Sequence, residues 1–92
     1  MDTVRAIRGV VRGRVQGVAY RASFLREARS RGLVGWVRNR ADGAVEFLVQ
    51  GDGDRVDEVV LWAGHGPTLA RVTQVTTHAA SLDPDLVELE IR

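Results

Sequence analysis

The chain has 92 residues, enough for one domain with a hydrophobic core, and we expect residues 1–92 to form a single domain. It contains no cysteine, which excludes disulfide bonds, thiolate metal sites and a cysteine nucleophile. No run of 18 apolar residues occurs, and the start Met1-Asp2-Thr3 resembles no signal peptide. We therefore expect a soluble cytoplasmic protein without a membrane partner.

The net charge of +1 hides an uneven distribution of charge along the chain. Residues 1–40 carry ten arginines and two acidic residues, a net charge of +8, whereas residues 41–92 carry three arginines and ten acidic residues, a net charge of −7. A basic segment of this kind suggests nucleic-acid binding. It also fits two segments that neutralise each other in the folded protein, and its field would favour an anionic substrate.

The first part of the chain passes from a strand pattern through a glycine-containing loop into a helix pattern. Apolar residues predict a strand from about residue 4 to residue 12, in which Gly9 allows close packing above the strand. A helix is predicted from Tyr20 to Arg31, because apolar residues recur there every four positions. Gly32 is suited to end this helix.

The rest of the chain predicts a hairpin, a second helix and two further strands. Two strand patterns flank the turn signal Asp42-Gly43, and Asp54 is suited to cap the second helix. The predicted ranges are strands at 33–40 and 44–50, a helix at 54–63, and strands at 69–77 and around 87–92, the last with Val87, Leu89 and Ile91 on one face.

This order of elements is β-α-β-β-α-β, with an extra or continued strand at the C-terminus. With right-handed crossovers it predicts an α+β fold, the ferredoxin-like split β-α-β sandwich. Its sheet would have four or five mainly antiparallel strands, with both helices on one face. Such a fold alone decides nothing about function, because many unrelated activities use it.

The loop from Gly13 to Arg21 suggests an anion site. A glycine-containing loop that leads into a helix leaves backbone N–H groups pointing into one concavity, with the positive end of the helix dipole behind them. The helix dipole disfavours Arg21 in the first turn by roughly 0.3–1 kcal/mol, and this position makes better sense if an anion lies between Arg21 and the loop. Spacing alone leaves open that Arg21 is a solvated surface residue.

Two motifs together resemble the signatures of the acylphosphatase family. The first reads Val11-x-Gly13-x-Val15-Gln16-Gly17-Val18-x-Tyr20-Arg21, and the second reads Gly35-Trp36-Val37-Arg38-Asn39 and continues to Gly43, Val45 and Gly51. The resemblance covers nearly the whole chain in length, element order and motif separation. It departs at Tyr20, where the family usually has Phe or Met, and the added hydroxyl needs a partner or access to water.

The resemblance implies an enzyme that hydrolyses the carboxyl–phosphate bond of acyl phosphates. Backbone N–H groups would hold the phosphoryl oxygens, and the Arg21 guanidinium would hold the same group through paired hydrogen bonds. Asn39 would orient the attacking water with its side-chain carbonyl, which requires the first two strands to be neighbours. The implied phosphate-binding residues are Arg14, Val15, Gln16, Gly17, Val18, Ala19 and Arg21. The Gln16 side chain is expected to shape the loop.

The implied chemistry needs few catalytic groups, because a carboxylate with a solution pKa near ~4 leaves without a proton donor. The motifs contain no His, Cys, Asp or Glu for acid–base or nucleophilic work, and no carboxylate cluster for Mg²⁺. We therefore expect no metal, no covalent phosphoenzyme and no cofactor. The expected partners are a small-molecule acyl phosphate and inorganic phosphate as product and inhibitor, with the protein monomeric and not bound to nucleic acid.

Two other functions compete with this interpretation. A nucleic-acid-binding ferredoxin-like module could use the basic segment, but the strands lack the aromatic residues with which such sheets stack bases. A non-catalytic phosphate-binding module would keep the loop but would not need a water-orienting amide. Without the resemblance, Asn39 is better explained as a turn residue that bonds its own backbone.

Overall fold

The computed structural model describes residues 3–92; residues 1 and 2 of the expected domain lie outside the described residues. The elements in chain order are β1 (Val4–Arg14), α1 (Tyr20–Ser30), β2 (Val34–Asn39), β3 (Val45–Asp52), α2 (Gly53–Ala63), β4 (Arg71–Ala80) and β5 (Leu89–Ile91). Each predicted element is present, with ends that differ from the predicted ones by up to three residues. The predicted ferredoxin-like α+β arrangement is thus confirmed.

The five strands form one sheet in the order β4-β1-β3-β2-β5. All neighbouring strands are antiparallel except β2 and β5, which are parallel. The expectation that the first two strands are neighbours is therefore wrong. The crossover through α1 makes β1 and β2 parallel and leaves a gap between them, which β3 fills by pairing with both.

Both helices pack on one face of this sheet, where one cluster of buried side chains joins them to the strands. The alternating residues Val45, Phe47 and Val49 of β3 are all fully buried in it. Gly9 lies opposite Phe47 in the register of β1 and β3, and a Cβ on Gly9 would overlap the phenyl ring. The close packing predicted at Gly9 is therefore confirmed, and it lets the Phe47 ring reach Phe24 of α1 at 4.8 Å between centroids.

The opposite face of the sheet carries Trp36, which is only 6% exposed. The guanidinium carbons of Arg8, Arg38 and Arg92 lie 5.1–5.7 Å from the centre of its ring, at distances typical of cation–π contacts. The other four aromatic side chains of the chain belong to the helix-side core or pack against it. This face therefore offers no open ring on which a base could stack, which weighs against the nucleic-acid-binding alternative.

The second helix begins at Gly53, earlier than predicted, and the last strand begins at Leu89, later than predicted. Backbone pairing explains both differences. The N-cap of α2 is Asp52, not Asp54, because β3 runs directly into the helix and the Gly53 N–H donates to the Thr3 carbonyl at 2.7 Å. The Asp52 side chain makes no capping hydrogen bond. Val87 is 83% exposed and precedes β5, since only three residues of this segment pair with β2.

Candidate active site

The predicted anion loop connects the end of β1 to the start of α1. The pairing of β1 with β4 shifts between Arg12 and Gly13, and at Gly13 (φ 124°) a Cβ would overlap the Arg71 carbonyl of β4, so only glycine fits there. Ala19, the N-cap of α1, is left-handed at φ 62°, a conformation that costs a non-glycine residue about 1–2 kcal/mol. Such strained residues cluster at functional sites.

The backbone N–H groups at this end of α1 are available to a ligand. Within residues 3–92, no protein group accepts a hydrogen bond from the backbone N–H groups of residues 16–22. Ala19 has no side chain that could cap the helix, and the first turn contains no acidic residue. The positive end of the helix dipole therefore faces this loop without an internal counter-charge.

Arg21 and Asn39 come together at a pocket of about 200 Å³ beside the loop. Its lining residues are Val15, Gly17, Ala19, Tyr20, Arg21, Ala22, Asn39 and Ile91. In the described part of the chain, neither Arg21 nor Asn39 donates a side-chain hydrogen bond to the protein or forms an ion pair. The lining includes one cation and no acid, so the pocket is suited to an anion.

Asn39 reaches the loop although β1 and β2 are separated by β3. Asn39 pairs with Val45 of β3, and Val45 pairs with Val11 of β1, so Asn39 lies two strand spacings, or about 10 Å, from β1. The loop bridges that gap, because the Gln16 amide donates hydrogen bonds to the Arg40 and Ala44 carbonyls at 2.8 and 2.9 Å. The loop is thus bound to the β2–β3 hairpin, and the prediction that the Gln16 side chain shapes the loop is confirmed.

The other predicted phosphate-binding residues divide into two groups. Val15, Gly17 and Ala19 line the pocket, whereas Arg14, Gln16 and Val18 do not. Val15 and Val18 are buried and anchor the loop in the core, so only their backbone atoms are available to a ligand. Arg14 is exposed at the end of β1 and pairs with Arg71 of β4 in the sheet register. The role of each as a phosphate ligand stays a prediction.

Three lining residues were not assigned to the site by the sequence motifs: Tyr20, Ala22 and Ile91. Ala22 could have been inferred from its place in the helix turn that contains Arg21. For Ile91 the only signal was the alternation with Leu89, which predicts a buried position. Leu89 is indeed buried, but Ile91, which pairs with Val37 at the end of the strand, is 43% exposed beside the pocket.

The basic and acidic segments of the chain neutralise each other in the folded protein. Six of the ten arginines in residues 1–40 form ion pairs with acids in residues 41–92. Next to the pocket, Asp42 bonds the Ala44 N–H and pairs with Arg40 and Arg12 at 3.0 and 3.4 Å. The Ala44 hydrogen bond, followed by these two cations, lowers the pKa of Asp42. Ion pairs within the protein therefore neutralise most of the arginines of the basic segment.

Tyr20 anchors the start of α1 to the end of α2. Its side chain is 1% exposed, and its hydroxyl donates to the Ala63 carbonyl at 2.7 Å, so the extra hydroxyl has the partner it needs. The ring packs against Trp62, with 5.5 Å between centroids, and a Cβ on Gly66 would lie 2.8 Å from it. Burial raises the pKa of Tyr20 above its ordinary value of 10.0.

This burial predicts a loss of stability in alkali that a Tyr20→Phe variant should not show. Unfolded Tyr20 ionises near pH 10.0 while the folded residue keeps its proton, so the unfolded state binds fewer protons above that pH. We expect the free energy of unfolding to fall by about 1.4 kcal/mol per pH unit above pH 10. The sequence has one tyrosine and neither lysine nor cysteine, so no other side chain titrates between pH 9 and 12.

Urea unfolding of both proteins at pH 8, 10, 11 and 11.5 measures this difference. At pH 8 the variant should be less stable by about 1–3 kcal/mol, because the buried Ala63 carbonyl loses its donor. Above pH 10 the gap should close as the wild type loses stability. Parallel curves for the two proteins would show that Tyr20 is not the source of the pH dependence.

Residues 3–92 lack two features that mark other classes of protein. No three His, Cys, Asp or Glu side chains come together in an arrangement that could hold a metal ion. None of the helices in this range has the length and apolar character needed to cross a membrane.

Known proteins match this chain over nearly its whole length. The acylphosphatase family model matches residues 7–91. The acylphosphatase of Methylococcus capsulatus is 42% identical over 88 residues, which are 96% of either chain. The acylphosphatase structure from Coxiella burnetii superposes with a TM-score of 0.92 at 31% identity, over 97% of this chain and 93% of its own. The acylphosphatase structure from Bacillus subtilis superposes with a TM-score of 0.91 at 32% identity, over 98% of this chain and 99% of its own. The chain belongs to the acylphosphatase family.

Proposed function

We propose that this chain hydrolyses the carboxyl–phosphate bond of acyl phosphates and releases a carboxylate and inorganic phosphate. The observation that carries the proposal is the pocket that brings Arg21 and Asn39 to the loop, whose N–H groups have no acceptor among the described residues. The family membership of the chain supports the same reaction.

The loop and Arg21 would hold the phosphoryl group. Backbone N–H groups between Arg14 and Ala19 would donate to its oxygens, and the Arg21 guanidinium would add paired, charge-assisted hydrogen bonds. Because the loop is fixed by Gln16 and by the buried Val15 and Val18, its N–H groups are held in place before the substrate arrives. Donors that need no reorganisation are the main source of stabilisation for a charged transition state.

Asn39 would place the attacking water. Its side-chain carbonyl accepts a hydrogen bond from the water, whose oxygen attacks phosphorus in line with the leaving carboxylate. The bond between phosphorus and the acyl oxygen breaks, the carboxylate leaves with the electron pair, and the proton of the water ends on the phosphate product or in solvent. No covalent intermediate with the protein is formed.

Every group in this mechanism comes from one chain, so we propose that the protein acts as a monomer and that residues 1–92 work as one acylphosphatase-like domain. Phosphate, which shares the phosphoryl oxygens of the substrate, would inhibit as a competing product. The absence of cysteine is compatible with a reducing compartment such as the cytoplasm, where we propose that the enzyme acts.

Hydrolysis of benzoyl phosphate in the presence of EDTA tests the proposal. We expect turnover well above the uncatalysed rate, unchanged by the chelator, and competitive inhibition by inorganic phosphate. Turnover that EDTA removes and Mg²⁺ restores would contradict the metal-free mechanism. A folded protein that binds phosphate without hydrolysing benzoyl phosphate would instead be the non-catalytic phosphate-binding module.

A further inference from the structure

The pocket has an apolar side that the proposed phosphoryl chemistry does not use. Arg21, Asn39 and the loop N–H groups account for its polar lining. Ala22 and Ile91 contribute exposed apolar atoms, whereas Val15 and Tyr20 are both buried. A phosphoryl group has no use for such a wall, so the wall must contact another part of the ligand or only water.

Ile91 stands out among the exposed apolar residues of the described chain. Six large hydrophobic side chains are exposed there, and Ile91 alone lines this pocket; the others are Val4, Leu61, Leu69, Leu82 and Val87. Its backbone is fixed by the pairing of β5 with β2, in which Ile91 lies opposite Val37. The Arg92 N–H, which follows it, donates to the Val37 carbonyl at 2.9 Å. The side chain is therefore held beside the site by regular structure.

The position of Ile91 relative to Asn39 lets one ligand contact both. Val37 and Asn39 alternate with Arg38 along β2 and so point to the same face of the sheet, and Ile91 lies opposite Val37. Ile91 is thus displaced from Asn39 by two residues along the sheet and by one strand across it. Ala22 lies in the first turn of α1, directly after Arg21.

We propose that Ile91, together with Ala22, contacts the acyl group of the substrate and makes the enzyme selective for acyl phosphates with apolar acyl groups. This inference rests on the proposed function. The apolar side chain of an aryl or branched alkyl group would cover Ile91 and remove its methyl groups from water, whereas an acetyl group is too small to do so. A charged acyl group would lose hydration against the same wall.

The ratio of kcat/KM for benzoyl phosphate to that for acetyl phosphate measures this selectivity. In Ile91→Ala we expect the ratio to fall by about 3- to 10-fold, the effect of losing part of an apolar contact at a half-open site. Ile91→Leu, which keeps the apolar volume, should retain the ratio. Val87→Ala removes an exposed apolar side chain outside the pocket and should leave kcat/KM unchanged for both substrates.

Binding of benzoylphosphonate and acetylphosphonate, which are not hydrolysed, separates this inference from the proposed function. If the wild type does not turn over either acyl phosphate, the proposed hydrolytic function is wrong. The ratio of the two phosphonate affinities then still tests whether Ile91 contacts the acyl group. If Ile91→Ala changes kcat/KM for both substrates by one factor, and the affinity for both phosphonates by that same factor, Ile91 does not contact the acyl group. Thermal unfolding of each variant checks that the substitution at this half-exposed position leaves the protein folded.

Discussion

Arg21→Ala is expected to lower kcat/KM for benzoyl phosphate by about 10³- to 10⁵-fold, the range found when an arginine that stabilises a transferring phosphoryl group is removed. Arg21 is the one cation lining the pocket among the described residues, and no acid there competes for it. Because the same guanidinium would hold the phosphate product, inhibition by inorganic phosphate should weaken as well. Steady-state kinetics with and without phosphate measure both effects.

Arg14→Ala is the matched control for this variant, because it removes the side-chain charge and keeps the backbone N–H that the mechanism uses. Arg14 precedes the same loop and carries the same charge, but it is exposed and does not line the pocket. Its removal should change kcat/KM by less than about 3-fold, as expected for an exposed charge that acts only through the general field. Equal losses in both variants would mean that the overall positive field, and not a contact with Arg21, binds the substrate.

The stability of Arg21→Ala distinguishes a functional residue from a structural one. Arg21 lies in the first turn of α1, where the helix dipole disfavours a cation, and its side chain has no hydrogen-bond partner within residues 3–92. The variant should therefore unfold at the same temperature as the wild type or slightly above it. Phosphate inhibition that stays unchanged in this variant would contradict the phosphate-binding role.

The core of the fold was predictable from local patterns. Val45, Phe47 and Val49 alternate in the sequence, and all three are buried under the helices. Gly9 marked the place where a large side chain packs on the strand. Such signals work because a strand exposes alternate residues to one face and each position needs only its immediate neighbours to be interpreted.

The sheet order and the pocket depend on contacts that local patterns do not carry. The insertion of β3 between β1 and β2 follows from pairing across the whole sheet, so the expectation that Asn39 lies on a neighbouring strand was wrong. Asn39 still meets the loop because Gln16 ties the loop to the hairpin. The approach of Ile91 to the same pocket depends on β5 joining the far edge of β2, which no local pattern indicates.

Arg21 and Asn39 themselves could be identified only through the two motifs taken together. Each has an ordinary local explanation, a surface cation for Arg21 and a turn residue for Asn39. The structure removes the second explanation in part, because the turn is closed by the Arg40 N–H and the Asp42 carboxylate without the Asn39 side chain. What remains for Asn39 is a side-chain amide that has no partner within residues 3–92 and lies at the edge of a pocket lined by one cation.

Asn39→Ala is expected to lower kcat by about 10²- to 10³-fold while the inhibition constant for phosphate changes by less than about 3-fold. A water-orienting amide acts on the attacking group, whereas the bound anion keeps its contacts with Arg21 and the loop. The side chain is exposed and makes no hydrogen bond within residues 3–92, so stability should change by less than about 0.5 kcal/mol. Steady-state kinetics and phosphate inhibition, measured on the same preparation, test whether kcat falls while phosphate affinity is kept.

Asn39→Asp completes the test, because it keeps an oxygen that can accept a hydrogen bond from water but adds a negative charge beside the anion. If Asn39 acts on water, the Ala variant loses rate and not phosphate affinity, and only the Asp variant loses both. If instead Asn39 binds the phosphoryl group through its N–H donors, both variants lose affinity, since neither has an amide. The two variants therefore assign the side-chain carbonyl or the side-chain N–H group to the reaction, a choice that the position of Asn39 alone does not make.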